Sequence, residues 1–273
     1  MKRSPFFLFC ALSSAFFVQG QSAHTLWYTQ PAQYFEETLV LGNGKTGASV
    51  FGGIATDKIY LNDATLWSGE PVDANMNPEA YKNLPAIREA LQREDYKTAD
   101  ELNKKLQGKF SESYAPLGTL WIDHKHSDSA RNYRRELDLR DAVSTVTYQV
   151  GGVTFTREYF ISHPDRIMVI RLHSSKKGAL AFDLKINSLL KFKAAVEDDV
   201  LQVTGYAPVH ADPSYLGERP DAVVFDEKRG TRFAAFARIQ HSDGSLVHTD
   251  STLGLQGGTE ALVLISIATS FNG

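Results

Sequence analysis

Apolar and polar residues alternate along most of this chain. In Leu180-Ala181-Phe182-Asp183-Leu184-Lys185-Ile186 and in Val153-Thr154-Phe155-Thr156 every second side chain is apolar, so an extended backbone would show one apolar and one polar face. Val143 to Val150 and Val153 to Ile161 flank Gly151-Gly152, a pair that accepts the positive φ angles of a two-residue hairpin turn. The same reasoning predicts strands at Ala48–Phe51, Lys58–Leu61, Thr119–Asp123, Tyr133–Leu139, Ile167–Leu172 and Val200–Thr204. It adds Arg232–Gln240, Ser245–His248, Leu253–Gln256 and Ala261–Ala268. One interval departs from period two: Leu84, Ile87 and Leu91, then Tyr96, Ala99, Leu102 and Leu106, recur at helical spacing. Two short helices are expected within about residues 84–108. Asn83 would cap the first with Pro85 in its opening turn, Asp95 the second, and Gly108 would close it. So many strands exceed what one open sheet holds. The predicted class is all-β: a large antiparallel two-sheet β-super-sandwich with a short helical insertion.

The first residues change the picture of where the protein works. Met1-Lys2-Arg3, an uncharged run from Phe6 to Val18, and small residues from Gly20 onward have the zones of a secretory signal. Residues 1–20 are therefore expected to leave on export to a periplasmic or extracellular location, with 21–273 as the mature domain. The single cysteine, Cys10, falls inside that signal, so the mature chain would gain stability from core burial and not from disulfides. No later run reaches the roughly 18 apolar residues of a membrane-spanning helix. Net charge is −3, and losing Lys2 and Arg3 takes it to −5. No basic stripe remains for phosphates, and nucleic acid is not an expected partner.

Candidate chemistry begins with absences. The sequence holds no phosphate loop, no His-Glu-x-x-His helix, no Gly-x-Ser-x-Gly elbow and no cysteine nucleophile in the mature part. His124-x-His126 reads as a solvated strand end more readily than as a zinc site, and no metal or cofactor is expected. Gly42–Gly47 ("GNGKTG") reads as a tight turn, since a phosphate cradle would end Gly-Lys-Ser/Thr and lead into a helix. In "LNDATLWSG" (61–69) Trp67 sits among Asn62, Asp63 and Ser68. Two readings stand: the indole stacks on a sugar while its polar neighbours orient hydroxyls, or the loop turns a corner and the tryptophan plugs the sandwich. The loop Tyr206–Pro220 carries His210, Asp212 and Tyr215, and is either a reach towards a partner domain or a surface excursion. The helical pair is either an amphipathic cover for one sheet or a docking ledge.

Longer motifs add a resemblance. "LVLGNGKTGASVFGG" (39–53), "KIYLNDATLWSGEP" (58–71), "YAPLGTLWID" (114–123), the run from Tyr133 to Leu172 and "RGTRFAAFARI" (229–239) together resemble the N-terminal domain of glycoside hydrolase family 95, the α-L-fucosidases and their α-L-galactosidase relatives. The likeness implies that a helical linker, an (α/α)6 catalytic barrel and a further β-domain follow the sandwich. It implies inverting chemistry housed in that barrel, on an oligosaccharide or other glycan. No Asp or Glu here matches the family's acid or base, so no catalytic residue is expected in this chain, which would brace and wall a barrel outside it. A free-standing carbohydrate-binding module is the alternative; it would need aromatics such as Trp27, Trp67 and Trp121 aligned on one face.

Overall fold

A computed structural model describes residues 24–108 and 111–272. The expected signal, residues 1–20 with Cys10, lies outside the described residues. In chain order the strands are β1 (Thr25–Tyr28), β2 (Leu39–Gly42), β3 (Thr46–Val50) and β4 (Thr56–Asp63). Helices α1 (Leu84–Gln92) and α2 (Tyr96–Asn103) follow, and then β5 (Gly118–His124), β6 (Arg131–Asp138), β7 (Val143–Val150), β8 (Val153–Ile161) and β9 (Ile167–Ser174). The chain continues through β10 (Leu180–Asn187), β11 (Lys191–Glu197), β12 (Val200–Tyr206), β13 (His210–Ala211) and β14 (Val223–Val224). It closes with β15 (Arg232–His241), β16 (Ser245–His248), β17 (Leu253–Gly258) and β18 (Glu260–Thr269).

Two antiparallel sheets carry the fold, as the alternation predicts. Nine strands run β1-β6-β7-β8-β9-β18-β15-β12-β11, and seven run β16-β17-β10-β5-β4-β3-β2. Inward side chains of the larger sheet, such as Ile170, Val263 and Ala235, share one buried cluster with Ile59, Ile122 and Leu184 of the smaller. The Gly-Gly hairpin forms with Val150 opposite Val153 and φ of 58° and 80° at the two glycines. Gly42–Gly47 is the tight turn expected: β2 pairs with β3, and Asn43 Oδ1 accepts from the Lys45 and Thr46 amides.

The strands that alternation misses are instructive. β1 and β11 lie at sheet edges, where exposure on both sides relaxes the demand for alternation, whereas edge strand β2 does bury Leu39 and Leu41 and expose Val40, a period hidden because all three residues are apolar. Strands β13 and β14 are two residues each and carry no periodicity to read.

The core also holds charge. Arg157 and Asp57, both essentially unexposed, approach to 3.4 Å between the sheets. Tyr159 donates to Asp57 Oδ2 at 2.5 Å and the Gly53 amide to Oδ1 at 2.9 Å. His124 is buried against Arg157, its Nε2 at 3.1 Å from Nη1, and stacks on His126 with ring centroids 5.2 Å apart. The solvated strand end expected for these histidines is therefore corrected: β5 turns His124 inward beside a cation. Burial first, then that guanidinium, hold the His124 imidazole well below its usual range and so neutral.

Helices α1 and α2 form at the predicted place, with different ends. Asp95 caps α2, accepting from the Thr98 amide at 3.1 Å. The Asn83 side chain donates to the Ala80 carbonyl and makes no cap bond, because a 3-10 turn at Ala80–Asn83 already leads into α1. Gly108 closes nothing; α2 runs into a 3-10 turn, Lys104–Leu106. The pair does not serve as a sheet cover. Ile87, Ala90 and Ala99 are its buried side chains, and none belongs to the common core cluster. The helices pack chiefly on each other and leave Tyr81, Leu84, Leu91 and Tyr96 exposed.

Candidate functional site

Loops from three parts of the chain meet at one end of the sandwich. After β4 the chain passes through Leu66, fully buried, which seats the corner. The Leu66 carbonyl accepts from the Ala115 amide at 3.0 Å, the Ser68 amide donates to Ser113 at 2.8 Å, and the Gly69 amide donates to Pro208 at 2.9 Å. The segment 66–69 is thus strapped between the stretch before β5 and the start of the β12–β15 connection. Strand β18 ends at the same place, where Thr269 Oγ1 lies 2.6 Å from Thr65 Oγ1.

Trp67 does not plug this corner; Leu66 does. The indole remains 46% exposed, because consecutive residues of an extended segment point to opposite sides. It is held nonetheless: Nε1 donates to the Ala64 carbonyl at 3.0 Å, and the ring meets Tyr114 edge to face at 6.1 Å. The neighbouring candidates diverge. Asp63 is buried and structural, its Oδ1 accepting from the Thr65 amide and hydroxyl at 2.9 and 2.6 Å. Asn62 lines a different cleft, on the outer face of the seven-stranded sheet. Tyr215, in the 3-10 turn Ser214–Leu216, projects outward at 76% exposure.

Ser68, His210 and Asp212 do come together, through a residue that sequence reasoning missed. Glu112 Oε2 accepts from Ser68 Oγ at 2.7 Å and from the Ala211 amide at 3.1 Å, while Oε1 faces His210 Nδ1 at 3.1 Å. On the ring's other side Nε2 faces Asp212 Oδ1 at 3.1 Å, and Arg219 Nε donates to Asp212 Oδ2 at 2.8 Å. A neutral imidazole has one N–H and can satisfy only one of two carboxylates. The geometry therefore calls for imidazolium, and hydrogen bonding to Glu112 first, then Asp212, raises the His210 pKa above its ordinary value. Arg219 holds the Asp212 carboxyl below the usual carboxylate range. Across the opening Arg229 Nε donates to Glu70 Oε2 at 2.8 Å. These groups line a cleft of about 820 Å³ whose apolar wall includes Val72, Met76 and Val209. The charges are arranged in mutually satisfied pairs, which suits a hydroxyl-rich ligand added at the margins. Among the described residues, no group of three His, Cys, Asp or Glu is placed to hold a metal.

The three tryptophans do not line up on one face: Trp27 belongs to the larger sheet, while Trp67 meets Tyr114, which lines the cleft that Trp121 also lines. Trp27 is on edge strand β1 under the Arg134 guanidinium, 4.9 Å from its ring; Trp67 is at the loop end; Trp121 is on the outer face of β5. The aligned aromatic face expected of a binding module on these residues is not formed.

Comparison with known families matches residues 26–273 to the family described as "Glycosyl hydrolase family 65, N-terminal domain". The chain belongs to that family. The motifs pointed to family 95, so the shared ground is a glycoside hydrolase N-terminal domain, with family 65 as its matched description. Similar curated proteins carry fucosidase names. "Alpha-L-fucosidase 2" of Arabidopsis thaliana is 29% identical over 257 residues, covering 91% of this chain and 30% of the relative. "Probable alpha-fucosidase A" of Aspergillus oryzae is 27% identical over 195 residues, 67% of this chain and 27% of its own. The Aspergillus niger protein of the same name is 32% identical over 177 residues, 61% and 21% respectively. This chain spans less than a third of the length of these relatives. A family 65 N-terminal sandwich with a charged cleft at one end is thus the established frame; no described helix is long and apolar enough to cross a membrane.

Proposed function

We propose that this chain is the non-catalytic N-terminal sandwich of an exported α-L-fucosidase-like inverting glycoside hydrolase of the family 95 type, bracing an (α/α)6 barrel and walling part of its active site. One observation carries the reading: the strapped loop with Trp67, the Glu112–His210–Asp212 network and the last residues of β18 all converge on one end of the sandwich. A barrel continuing from β18 would meet that end first. The α1–α2 projection supports a docking role, since it leaves apolar side chains uncovered where a self-contained domain would bury them. The fucosidase names of the relatives supply the substrate class. An α-L-galactosidase is the sister reading, because the sugar-selecting residues would lie in the barrel.

The purified chain is expected to release no fucose from an aryl α-L-fucoside or a fucosylated oligosaccharide, whereas a polypeptide continuing into a helical barrel does so with inversion at the anomeric carbon. Fucose release by residues 21–273 alone would make the domain an enzyme in its own right and overturn the proposal.

A further inference from the structure

Ion pairs cover the outer faces of both sheets, and the smaller sheet also holds an aromatic cleft there. On the nine-stranded sheet Arg171 binds Glu158 at 2.8 Å and Glu260 at 2.7 Å, and Arg134 binds Glu136 at 2.6 Å; such a face is well solvated. On the seven-stranded sheet the outer surface around β2 to β5, with the end of β10, holds a cleft of about 840 Å³. Phe35, Tyr60, Tyr114 and Trp121 line it together with the amides of Asn62 and Asn187, and no lining side chain bears a formal charge. Two ammoniums flank it: Lys58 lies 3.7 Å from the Phe51 centroid and 5.2 Å from that of Tyr60, and Lys185, paired with Asp123 at 2.7 Å, lies 5.8 Å from that of Trp121.

Two polar atoms in this lining lack protein partners. Asn62 Oδ1, an acceptor, and Trp121 Nε1, a donor, are covered yet make no hydrogen bond within the chain. Both atoms are covered by the chain itself, so a ligand's direct contacts in this lining are the aromatic ring faces and the other polar groups beside them. The nearest cations, Lys185 and Lys58, are already engaged by Asp123 and by the Phe51 and Tyr60 rings, so a charged ligand gains little there for the hydration it surrenders. A sugar suits both constraints, because its C–H faces pack on aromatic rings and each hydroxyl both donates and accepts. The platform is rigid: β5 is paired on both sides, by β4 and β10, so Trp121 stands in the middle of a sheet.

We infer that this cleft is a second carbohydrate site, distinct from the loop-end cleft, that takes a neutral oligosaccharide along the outer face of the seven-stranded sheet. It does not depend on whether the barrel is that of a fucosidase.

The test uses this chain, with tryptophan fluorescence and amide NMR shifts read against two neutral probes, cellotetraose and 2′-fucosyllactose, and against 3′-sialyllactose as the charged counterpart. At least one neutral probe should bind, with the sialylated one about tenfold weaker, and Trp121→Ala should weaken binding about tenfold. Phe35→Ala, at an exposed position outside the core, should weaken it severalfold, which guards against a folding defect in the tryptophan variant. The inference is overturned if neither neutral probe binds at about 20 mM, if the sialylated probe binds equally well, or if both variants bind as the parent does. It is equally overturned if a longer polypeptide carrying the barrel loses the binding that this chain shows, since the cleft would then be a seat for protein.

Discussion

Arg157 and His210 are both cations held by carboxylates, and burial makes their consequences opposite. Arg157 and Asp57 are out of water, and the cost of removing them from solvent is offset only while both remain. Asp57→Ala would leave the guanidinium without its carboxylate and the Tyr159 hydroxyl and Gly53 amide without an acceptor. A loss of about 3–5 kcal/mol is expected, read as a lower urea midpoint at unchanged slope. Glu158→Ala, which opens the half-exposed pair with Arg171, should move that midpoint little. His210 instead sits near the surface and links the segment before β5 to β13. Its raised pKa means that the link is complete below the ordinary imidazole value of about 6.5 and fades as pH climbs through the higher folded-state value. Asp212, kept ionised by Arg219, stays available across that range. Hydrogen exchange corrected for intrinsic rate should therefore show residues 208–224 less protected at pH 8.5 than at pH 6. His210→Gln should remove the difference; an unchanged profile in that variant would show that another group governs the loop.

Among the elements, the helical pair is the most separable. The Asn77 side chain donates to the Lys105 and Gln107 carbonyls at 3.0 and 2.9 Å, so the two ends of the insertion are already tied together. Its buried residues stand outside the common core. Replacing Ala80–Leu106 with a short Gly-Ser link should leave the far-ultraviolet signature of the sheets intact and shift Tm by only a few degrees, on the scale of about 1 kcal/mol for a domain this size. A collapse of the cooperative transition would mean that the helices contribute to the sandwich core. The strands show the complementary lesson. Interior strands β7, β8 and β10 are legible from alternation because each has one face against the opposite sheet. Edge strands β1 and β11 are formed by pairing to a neighbour, a backbone interaction that leaves no periodic trace in the side chains.

At the scale of the whole molecule, two sheets share one core and hold their loops in fixed relation at the end where β18 finishes. The sequence by itself determined the all-β class, the glycine hairpin, the two short helices and a glycoside hydrolase N-terminal domain, because each rests on residues within a few positions of one another or on an ordered run of motifs. It marked Ser68, His210 and Asp212 as polar loop residues worth attention, though it grouped them with Asn62, Asp63 and Tyr215, which the fold turns to other surroundings, and with Trp67, which shares the loop end but not the hydrogen-bond network. Only the tertiary structure decided that Glu112 would join Ser68, 44 residues before it, to His210, 98 residues after it, that Leu66 and not Trp67 would fill the corner, and that the helices would stand away from the sheets. Local pattern encodes which face of an element is apolar. Which distant loops share an end depends on strand order across the sheets, and a backbone pairing order is written in no single stretch of side chains.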